Sequence, residues 1–394
     1  MYRRSSYETI KSRIEEPRKF IQVIVGPRQI GKTTVVAQVL DDIQVPHIFL
    51  SADNVPASQR DWVSNCWESA RSQMALQKHE EFLLVIDEIQ KVNNWSEAVK
   101  REWDKDTLDH LNLKVVLLGS SRVMLERGLS ESLAGRFEEI RMTHWTYAEM
   151  RDAFGLTFEE YVYYGGYPGA ADFIKDQVRW EQYIGSAIVD ATLNKDILQN
   201  QVITKPALLR QTFELGAAYS AQELSLSKLI GQLNDAGNTT TLSNYLQLLS
   251  DAGMLCGLQK FANDQARKRN SVPKFQVYNN ALRNIYSELP LTEACVRPKE
   301  WGRYLESAVG AFLTSQAFVY GYKVYYWREG NDEVDYVLQH KGRIVAIEVK
   351  GNAERTTSGM TAFAERFHPN RLILVGKEGI APEEFLQCNP MELF

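Results

Sequence analysis

One stretch near the N-terminus, Gly26-Pro27-Arg28-Gln29-Ile30-Gly31-Lys32-Thr33, limits what this chain can fold into more than any other. It matches the P-loop pattern, in which a Gly and four free residues precede Gly-Lys-Thr. The apolar run from Phe20 to Val25 predicts a buried strand before the loop, and the residues from Thr34 onward predict a helix after it. This arrangement directs backbone N–H groups and a helix dipole at a triphosphate. We therefore expect residues 26–34 to bind nucleotide, with Lys32 reaching the β and γ phosphates and Thr33 ligating Mg²⁺.

A second motif follows the P-loop. Residues 82–86 are consecutive apolar residues, and Asp87 and Glu88 come directly after them. Alone, the pattern would fit a buried strand that ends in a solvated acidic turn. Paired with a P-loop, it predicts a Walker B strand, in which Asp87 joins the Mg²⁺ shell and Glu88 faces the attacking water.

Two further positions are candidates for sensing or neutralising phosphate charge. The stretch from Lys114 to Leu118 predicts a further strand, and a Ser after its end, Ser120 or Ser121, would lie near the γ phosphate. A helix N-cap is an equal alternative for that Ser. Arg136 precedes a last predicted strand and is a candidate for contacting phosphates in its own subunit or in a neighbouring one. An exposed Arg without this role fits the pattern as well.

The predicted strands alternate with helices, which indicates an α/β fold with a parallel sheet covered on both faces. Ligands bind at the carboxyl ends of such strands, and we expect all the residues named so far to lie at that edge. Residues 146–200 have a mostly helical pattern, interrupted by a Tyr-rich breaker at 161–169. We expect this region to form a helical lid on the nucleotide.

The middle of the chain has a helix-turn-helix pattern. Apolar stripes with helical spacing occur in residues 226–233 and 242–249, Thr239 to Thr241 offers an N-cap, and two later runs are candidate wing strands. The pattern favours a winged helix and DNA binding. However, residues 240–253 contain no Lys or Arg, whereas a helix that reads a groove usually brings cations for the phosphates. We therefore favour a packing role for this helix over base readout.

Basic residues cluster elsewhere in this region, at 267–269, with Lys260 and Lys274 nearby. Phosphate contact and a solvated loop explain such a cluster equally well.

The C-terminal part holds a second chemical constellation. An amphipathic helix over 304–316 carries Glu306 at the edge of its apolar stripe, and three predicted strands follow. Asp335 lies on the second strand, and Glu348 and Lys350 share one face of the third. Carboxylates hold a hard divalent cation, and a lysine can position a water. We expect Asp335 and Glu348 to ligate metal, Glu306 to assist and Lys350 to orient the water, although a hairpin with surface Glu–Lys pairs fits the spacing equally well.

Composition limits the partners and the cellular location that we expect for this chain. The 394 residues carry a formal net charge of −5, so a nucleic-acid surface would have to be local. The four cysteines are scattered without paired spacing, which suits a reducing cytoplasm. No run approaches the roughly 20 apolar residues of a membrane span, so we expect no membrane partner and a cytoplasmic location.

The motifs together resemble those of prokaryotic AAA-type P-loop ATPases whose C-terminal domain, long of unknown function, is similar to PD-(D/E)XK nucleases. The residues that carry the resemblance are Gly26 to Thr34, Ile86 to Gln90, Ser132 to Arg136, Gly165 to Pro168, Tyr326 to Arg328, Glu333 to Asp335 and Ile347 to Lys350. Glu306, Asp335, Glu348 and Lys350 match the acidic positions and the lysine of the nuclease superfamily, which also has inactive members.

The resemblance implies an ATPase core over 1–145, a helical lid over 146–204, a winged-helix-like domain over 205–290 and a small α/β nuclease-like domain over 291–394. It also implies ATP and Mg²⁺ as ligands, DNA as a partner of the C-terminal half and a possible homo-oligomer. In one interpretation the nucleotide state controls DNA cleavage by the C-terminal domain. In the alternative, the chain is a nucleotide-driven switch or scaffold whose C-terminal domain binds nucleic acid or protein without cutting.

Overall fold

The computed structural model describes residues 2–56, 59, 61–119, 132–198, 203–233, 238–263, 271–351 and 358–394. The chain divides into two compact units, Met1–Met142 and Thr143–Phe394. Each unit is described by itself below.

The first unit is built on a parallel five-stranded sheet in the order β2-β3-β4-β1-β5. Its strands are β1 (Ile21–Val25), β2 (His47–Ser51), β3 (Phe82–Asp87), β4 (Leu113–Gly119) and β5 (Phe137–Arg141). Its helices are α1 (Ser6–Glu15), α2 (Lys32–Asp42), α3 (Trp62–Leu76) and α4 (Trp95–Leu108), with a 3₁₀ turn at Ile89–Lys91. The α/β fold with a parallel sheet that the sequence predicted is confirmed.

Both faces of the three central strands β1, β3 and β4 are buried, whereas the edge strands β2 and β5 are largely unburied. Helices α1 and α2 form one core with alternate side chains of the central strands, including Ile24, Leu83 and Val85. The intervening side chains of β3, Leu84 and Ile86, are also fully buried. Strands that are covered on both sides have no polar face, which explains why β1, β3 and β4 read as near-continuous apolar runs.

The second unit contains helices and two smaller sheets. The helices are α5 (Tyr147–Phe154), α6 (Phe158–Tyr164), α7 (Gln177–Tyr183), α8 (Pro206–Ala218), α9 (Leu226–Ile230), α10 (Thr239–Asp251), α11 (Ala281–Asn284), α12 (Leu291–Val296), α13 (Pro298–Tyr320), α14 (Ser358–Phe367) and α15 (Pro382–Phe385). π-Helical turns over Ile184–Asp190 and Thr192–Leu198 follow α7, and 3₁₀ turns lie at Pro168–Phe173 and Pro390–Leu393.

The first of these sheets has the order β6-β8-β7 and the second β12-β11-β10-β9. The strands are β6 (Gln222–Glu223), β7 (Leu255–Leu258), β8 (Lys274–Val277), β9 (Lys323–Glu329), β10 (Asp332–His340), β11 (Arg343–Val349) and β12 (Arg371–Val375). Strands β7 and β8 pair antiparallel, where the sequence indicated a wing. The cap of α10 differs from the expected Thr239 to Thr241, because the side chain of Asn238 accepts a hydrogen bond from the N–H of Thr241 at 2.9 Å.

The larger of two buried clusters in the described part of the second unit links its helices and sheets, and the smaller one includes Phe261 and Trp327. The larger cluster joins side chains from the helices after Tyr147, such as Tyr163 and Trp180, to Leu246 of α10 and to Val309 of α13. The region expected to act as a lid therefore shares its core with the rest of this unit. The finer division at residues 204 and 290 stays a prediction.

Candidate functional site

The P-loop occupies the turn between β1 and α2, where its glycines are required by geometry. Gly31 has φ of 87° immediately before α2, in the left-handed region that favours glycine. Gln29 also has a positive φ, of 62°. A Cβ on Gly26 would lie 2.2 Å from the carbonyl oxygen of Met142 and 2.7 Å from Cδ1 of Ile30. A glycine at 26 thus lets the loop pass against the residue that follows β5.

Lys32 lies inside this loop. Its side chain is buried, and Nζ donates hydrogen bonds to the carbonyl oxygens of Gly26 at 2.9 Å and Pro27 at 2.8 Å. The ammonium is thereby held at the N-terminus of α2, where the first-turn N–H groups have no partner within the helix. A positive charge beside the first-turn N–H groups of a helix forms an anion site.

The rest of the loop is supported by a residue that sequence reasoning missed. The side chain of Ile30 is buried in the core with α1 and α2, whereas Gln29, Thr33 and Thr34 are exposed at the surface of the loop. The buried guanidinium of Arg4 donates a hydrogen bond from its Nη1 to the carbonyl oxygen of Ile30 at 3.2 Å. No local motif marks Arg4, because its partner is 26 residues away.

The ends of β3 and α2 bring together the two residues expected to ligate Mg²⁺. The hydroxyl of Thr33 donates a hydrogen bond to Oδ2 of Asp87 at 2.8 Å, and Oδ1 of Asp87 accepts from the N–H of Glu88 at 2.9 Å. A hydroxyl and a carboxylate side by side are hard oxygen donors of the kind that Mg²⁺ prefers. The residues present therefore fit this metal.

Glu88 directly follows β3 in a left-handed conformation, with φ of 53°. Burial raises the pKa of its carboxyl, and the charges of Lys32 and Arg28 oppose this rise. The carboxylate is therefore close enough to Lys32 and Arg28 of the P-loop for their charges to act on it. A raised pKa favours proton acceptance from a water, which is the role expected of this residue.

Gln90 is a second residue that sequence reasoning did not single out. Its side-chain amide donates a hydrogen bond to Oε2 of Glu88. A Cβ on Gly119, the last residue of β4, would lie 3.0 Å from Oε1 of Gln90. Gln90 therefore sits between the expected base and the end of the neighbouring strand. Ser120 and Ser121, the predicted sensors, lie outside the described residues.

Arg136 requires a correction. It immediately precedes β5, whose register pairs Phe137 with Ile21 and Arg141 with Val25, so it lies at the opposite sheet edge from the P-loop. Five residues of β1, at roughly 3.3 Å each, separate the two edges, which is farther than an Arg side chain extends. Its guanidinium forms two contacts with Asp104, of 2.7 and 3.0 Å. The prediction that Arg136 lies at the carboxyl edge, in reach of its own subunit's phosphates, is therefore wrong.

In the second unit, a β-bulge sets the position of Asp335. Val334 pairs with Trp327 and Val337 with Tyr325, so Asp335 and Tyr336 together oppose a single residue of β9. Bulges re-aim side chains and occur next to active sites. Here Oδ2 of Asp335 accepts a hydrogen bond from the backbone N–H of Val349 on β11, at 2.8 Å.

Glu348 is the most deeply buried acid of this cluster, at 1 % exposure. Nζ of Lys350 lies 2.8 Å from Oε1 of Glu348, and Oε2 has no hydrogen-bond partner in the part of the chain that the structure describes. Burial and the neighbouring Asp335 raise the pKa of Glu348. The predicted Glu–Lys pair on one face of β11 is therefore present, with the acid inside the fold.

A further lysine enters the cluster from another sheet. Nζ of Lys274, on β8, donates a hydrogen bond to Oε1 of Glu306 at 2.6 Å and to the carbonyl oxygen of Asp335 at 3.2 Å. Although burial lowers it, the carboxylates of Glu306 and Asp335 leave the pKa of Lys274 raised. Burial and Asp335 also raise the pKa of Glu306. Lys274, which the sequence placed with the exposed basic cluster, is thus a buried ion-pair partner, and residues 267–269 lie outside the described residues.

The donor set of this second cluster fits a divalent cation in part. Asp335 and Glu348 offer carboxylates, and Oε2 of Glu348, which has no hydrogen-bond partner among the described residues, is an oxygen that a cation could coordinate. Over the same residues, however, the structure shows no group of three or more His, Cys, Asp or Glu side chains arranged to hold a metal.

No helix within the described ranges is both long and apolar enough to cross a membrane.

Comparison with known proteins finds a separate family match for each of three parts of the chain. Residues 18–151 match the model of an AAA domain family. Residues 155–293 and 301–392 match two families described only as domains of unknown function, DUF8612 and DUF4143.

Individual relatives are distant. The chain is 23% identical over 361 residues to an uncharacterized protein of Haemophilus influenzae, covering 86% of this chain and 85% of that protein. It is 24% identical over 274 residues to an uncharacterized protein of Methanocaldococcus jannaschii, covering 65% of this chain and 58% of that one. Among solved structures it is similar to a Walker-type ATPase of Pyrococcus abyssi, with a TM-score of 0.50 and 13% identity over 72% of this chain and 95% of the other. The family match, the two nucleotide motifs and the parallel sheet together support an AAA-type nucleotide-binding domain over residues 18–151.

Proposed function

We propose that the first unit binds and hydrolyses ATP with Mg²⁺. The observation that carries this proposal is the meeting of Lys32, Thr33, Asp87 and Glu88 at one sheet edge. Lys32 would exchange its contacts with the loop carbonyls for the β and γ phosphates, and Glu88 would take a proton from the attacking water. When bound, Mg²⁺ supplies charge neutralisation on the phosphates, and Thr33 and Asp87 would hold it.

Binding and turnover are separated by two variants. Lys32→Ala should lose nucleotide affinity, because the buried ammonium is the cation held within the loop. Lys19→Ala, which removes a lysine just before β1, is the matched control and should bind ATP normally. Equal affinity of Lys32→Ala and the parent protein would refute the assignment of the loop.

We further propose that the C-terminal cluster cleaves DNA with a divalent metal, under control of the nucleotide state. Support comes from the bulge that turns Asp335 toward Val349 and from the buried Glu348 beside Lys350. Asp335 and Glu348 would hold the metal, whose chemistry is to activate water and stabilise charge on the phosphoryl oxygens. Lys350 would orient the water. DNA binding by the winged-helix-like region belongs to the same proposal.

The test is an assay of cleavage and ATP hydrolysis on linear, junction and single-stranded DNA with Mg²⁺ or Mn²⁺. Asp335→Ala and Lys350→Ala should each abolish cleavage and leave ATP hydrolysis largely intact, because the two sites belong to different units. Asp332→Ala, on the same strand, and Lys341→Ala, at the exposed turn after it, are matched controls. Cleavage that survives both active-site substitutions would refute the nuclease role.

A second candidate function is a nucleotide-driven switch or scaffold whose C-terminal domain binds nucleic acid or protein without cutting. Its specific support is Lys274, whose ammonium already neutralises Glu306 within the carboxylate cluster. The absence of Lys and Arg from α10 also favours it, because that helix would meet DNA phosphates without cations. Nucleotide-dependent DNA binding without cleavage in any metal would support this function.

We propose that any role of Arg136 in ATP hydrolysis depends on assembly. The strand register puts this residue at the opposite sheet edge from the P-loop of its own subunit. If it acts on ATP, it acts on a neighbouring copy. Mixing Arg136→Ala subunits with Lys32→Ala subunits tests this: recovered hydrolysis would indicate an interface finger in a homo-oligomer, and unchanged hydrolysis by Arg136→Ala alone would remove the role.

A further inference from the structure

Lys274 reaches the carboxylate cluster from the central strand of the β6-β8-β7 sheet, whereas the acids lie on α13 and on the other sheet of the unit. Its side chain is 7% exposed. Nζ lies 2.6 Å from Oε1 of Glu306, 3.7 Å from Oδ1 of Asp335 and 4.7 Å from the ring centre of Tyr336. Each of these groups attracts a cation. The ammonium is therefore fixed at one end of the cluster by four sets of contacts, including the carbonyl oxygen of Asp335.

The other end of the cluster is arranged differently. Glu348 is 1% exposed, its Oε1 lies 2.8 Å from Nζ of Lys350, and its Oε2 has no hydrogen-bond partner among the described residues. Its partner Lys350 is 32% exposed, so that ammonium is partly in water. Asp335 lies between the two ends, since it contacts Lys274 through Oδ1 and the backbone of Val349 through Oδ2. Glu306 is thus paired with a buried lysine, whereas Glu348 is paired through Oε1 with a partly exposed one, and its Oε2 has no hydrogen-bond partner within the described ranges.

We propose that Lys274 takes the place of a second divalent cation, so that the cluster binds one divalent cation between Asp335 and Glu348 while Glu306 stays paired with Lys274. This inference rests on the proposed metal site and deepens it. An ammonium and a divalent cation compete for the same carboxylate oxygens and repel each other, and burial weakens the screening of that repulsion. Glu306 then holds β8 in place and does not ligate metal.

The inference is tested by Mn²⁺ alone, counted by electron paramagnetic resonance and titration calorimetry on the full chain. An Asp87→Asn background removes the contribution of the Walker site. The parent in this background should bind one Mn²⁺, and Lys274→Met should bind either a second Mn²⁺ or the first about tenfold more tightly, because a buried positive charge is removed from beside Asp335. Lys323→Met, which removes an exposed lysine at the start of β9, is the matched control and should leave the affinity within about twofold.

A second comparison covers the case in which Lys274→Met destabilises the fold by leaving Glu306 unpaired. The double variant Lys274→Met with Glu306→Gln should bind Mn²⁺ about tenfold more tightly than Glu306→Gln alone. Two Mn²⁺ ions in the parent, or unchanged binding in both comparisons, would overturn the inference.

Failure of the wider proposal gives a different result. If Asp335→Asn and Glu348→Gln leave Mn²⁺ binding of the parent unchanged, the metal site itself is absent and the proposed nuclease function fails. If the parent binds no Mn²⁺, the inference is overturned as well, even where Lys274→Met binds Mn²⁺ through Asp335, and the switch or scaffold function replaces cleavage.

Discussion

Replacing Glu88 with Gln separates nucleotide binding from turnover in the first unit. The substitution keeps the volume of the side chain and removes its negative charge and its ability to accept a proton. General bases contribute about 10²–10⁴ in rate, so we expect phosphate release at saturating ATP and Mg²⁺ to fall by that factor, or about 3–5 kcal/mol of activation free energy.

Binding and folding should survive the same change. Glu88 interacts electrostatically with Lys32 and Arg28, the cations of the P-loop, so its neutralisation leaves both more available to phosphates. Nucleotide affinity should stay equal or rise. Burial raises the pKa of Glu88, which means that the site disfavours the charged carboxylate, and a neutral amide relieves this. We therefore expect the free energy of unfolding to change by less than about 1 kcal/mol.

Three measurements on one preparation decide the matter: phosphate release, binding of a fluorescent ATP analogue and urea unfolding. Glu80→Gln makes the same isosteric change at an exposed position just before β3, at the other end of that strand, and should behave as the parent. Hydrolysis by Glu88→Gln at the parental rate would show that another group takes the proton. Loss of affinity in a folded variant would refute the electrostatic part of the reasoning.

Three further predictions follow from single contacts. Gly26→Ala should destabilise the first unit by about 1–3 kcal/mol in thermal unfolding, because its Cβ would meet a carbonyl oxygen at 2.2 Å, whereas Gly302→Ala, with open space around its Cβ, should not. Arg136→Ala and Asp104→Ala should each lower the free energy of unfolding by about 0.2–1 kcal/mol and by similar amounts, since they remove the same half-exposed pair; a much larger loss in one of them would contradict this pairing. Burial raises the pKa of the Cys66 and Cys256 thiols to about 12, so at pH 8 only roughly one in ten thousand is a thiolate; iodoacetamide should label the less buried Cys295 first, and early labelling of Cys66 in mass spectra of native protein would be contrary evidence.

The first unit could be predicted from sequence because its signals are local. Residues 82–86 are apolar in succession, and residues 20–25 are apolar except for Gln22, because both faces of their strands are buried. The P-loop pattern is fixed by the geometry of a tight anion-binding turn. The prediction for Arg136 was wrong about the edge of the sheet at which this residue lies. Its position next to a strand was recognisable, but a residue before a parallel strand lies at the opposite edge from one after it.

The supporting contacts could not be predicted, because they join residues that are distant in sequence. Arg4 contacts a residue 26 positions away, and Lys274 contacts Glu306 across 32 positions. The bulge at Asp335 is equally hidden, since the run from Glu333 to Leu338 alternates in sequence like a regular strand. Periodicity indicates which face a side chain occupies, and it carries no information on the partner that meets it there.

The two buried lysines, Lys32 and Lys274, show why the partner matters, because the same side chain favours an anion at one site and opposes a cation at the other. Lys32 is held by two neutral carbonyl oxygens, so a triphosphate offers it stronger partners than it has and can displace those contacts. Lys274 is held by a carboxylate of Glu306 as well as a carbonyl oxygen, so an anion gains little there and a divalent cation must overcome an existing ion pair. The charge of the neighbouring groups therefore lets Lys32 bind phosphate, whereas it makes Lys274 oppose metal binding. Only the second assignment depends on the tertiary structure, which is why sequence alone placed Lys274 in an exposed basic cluster.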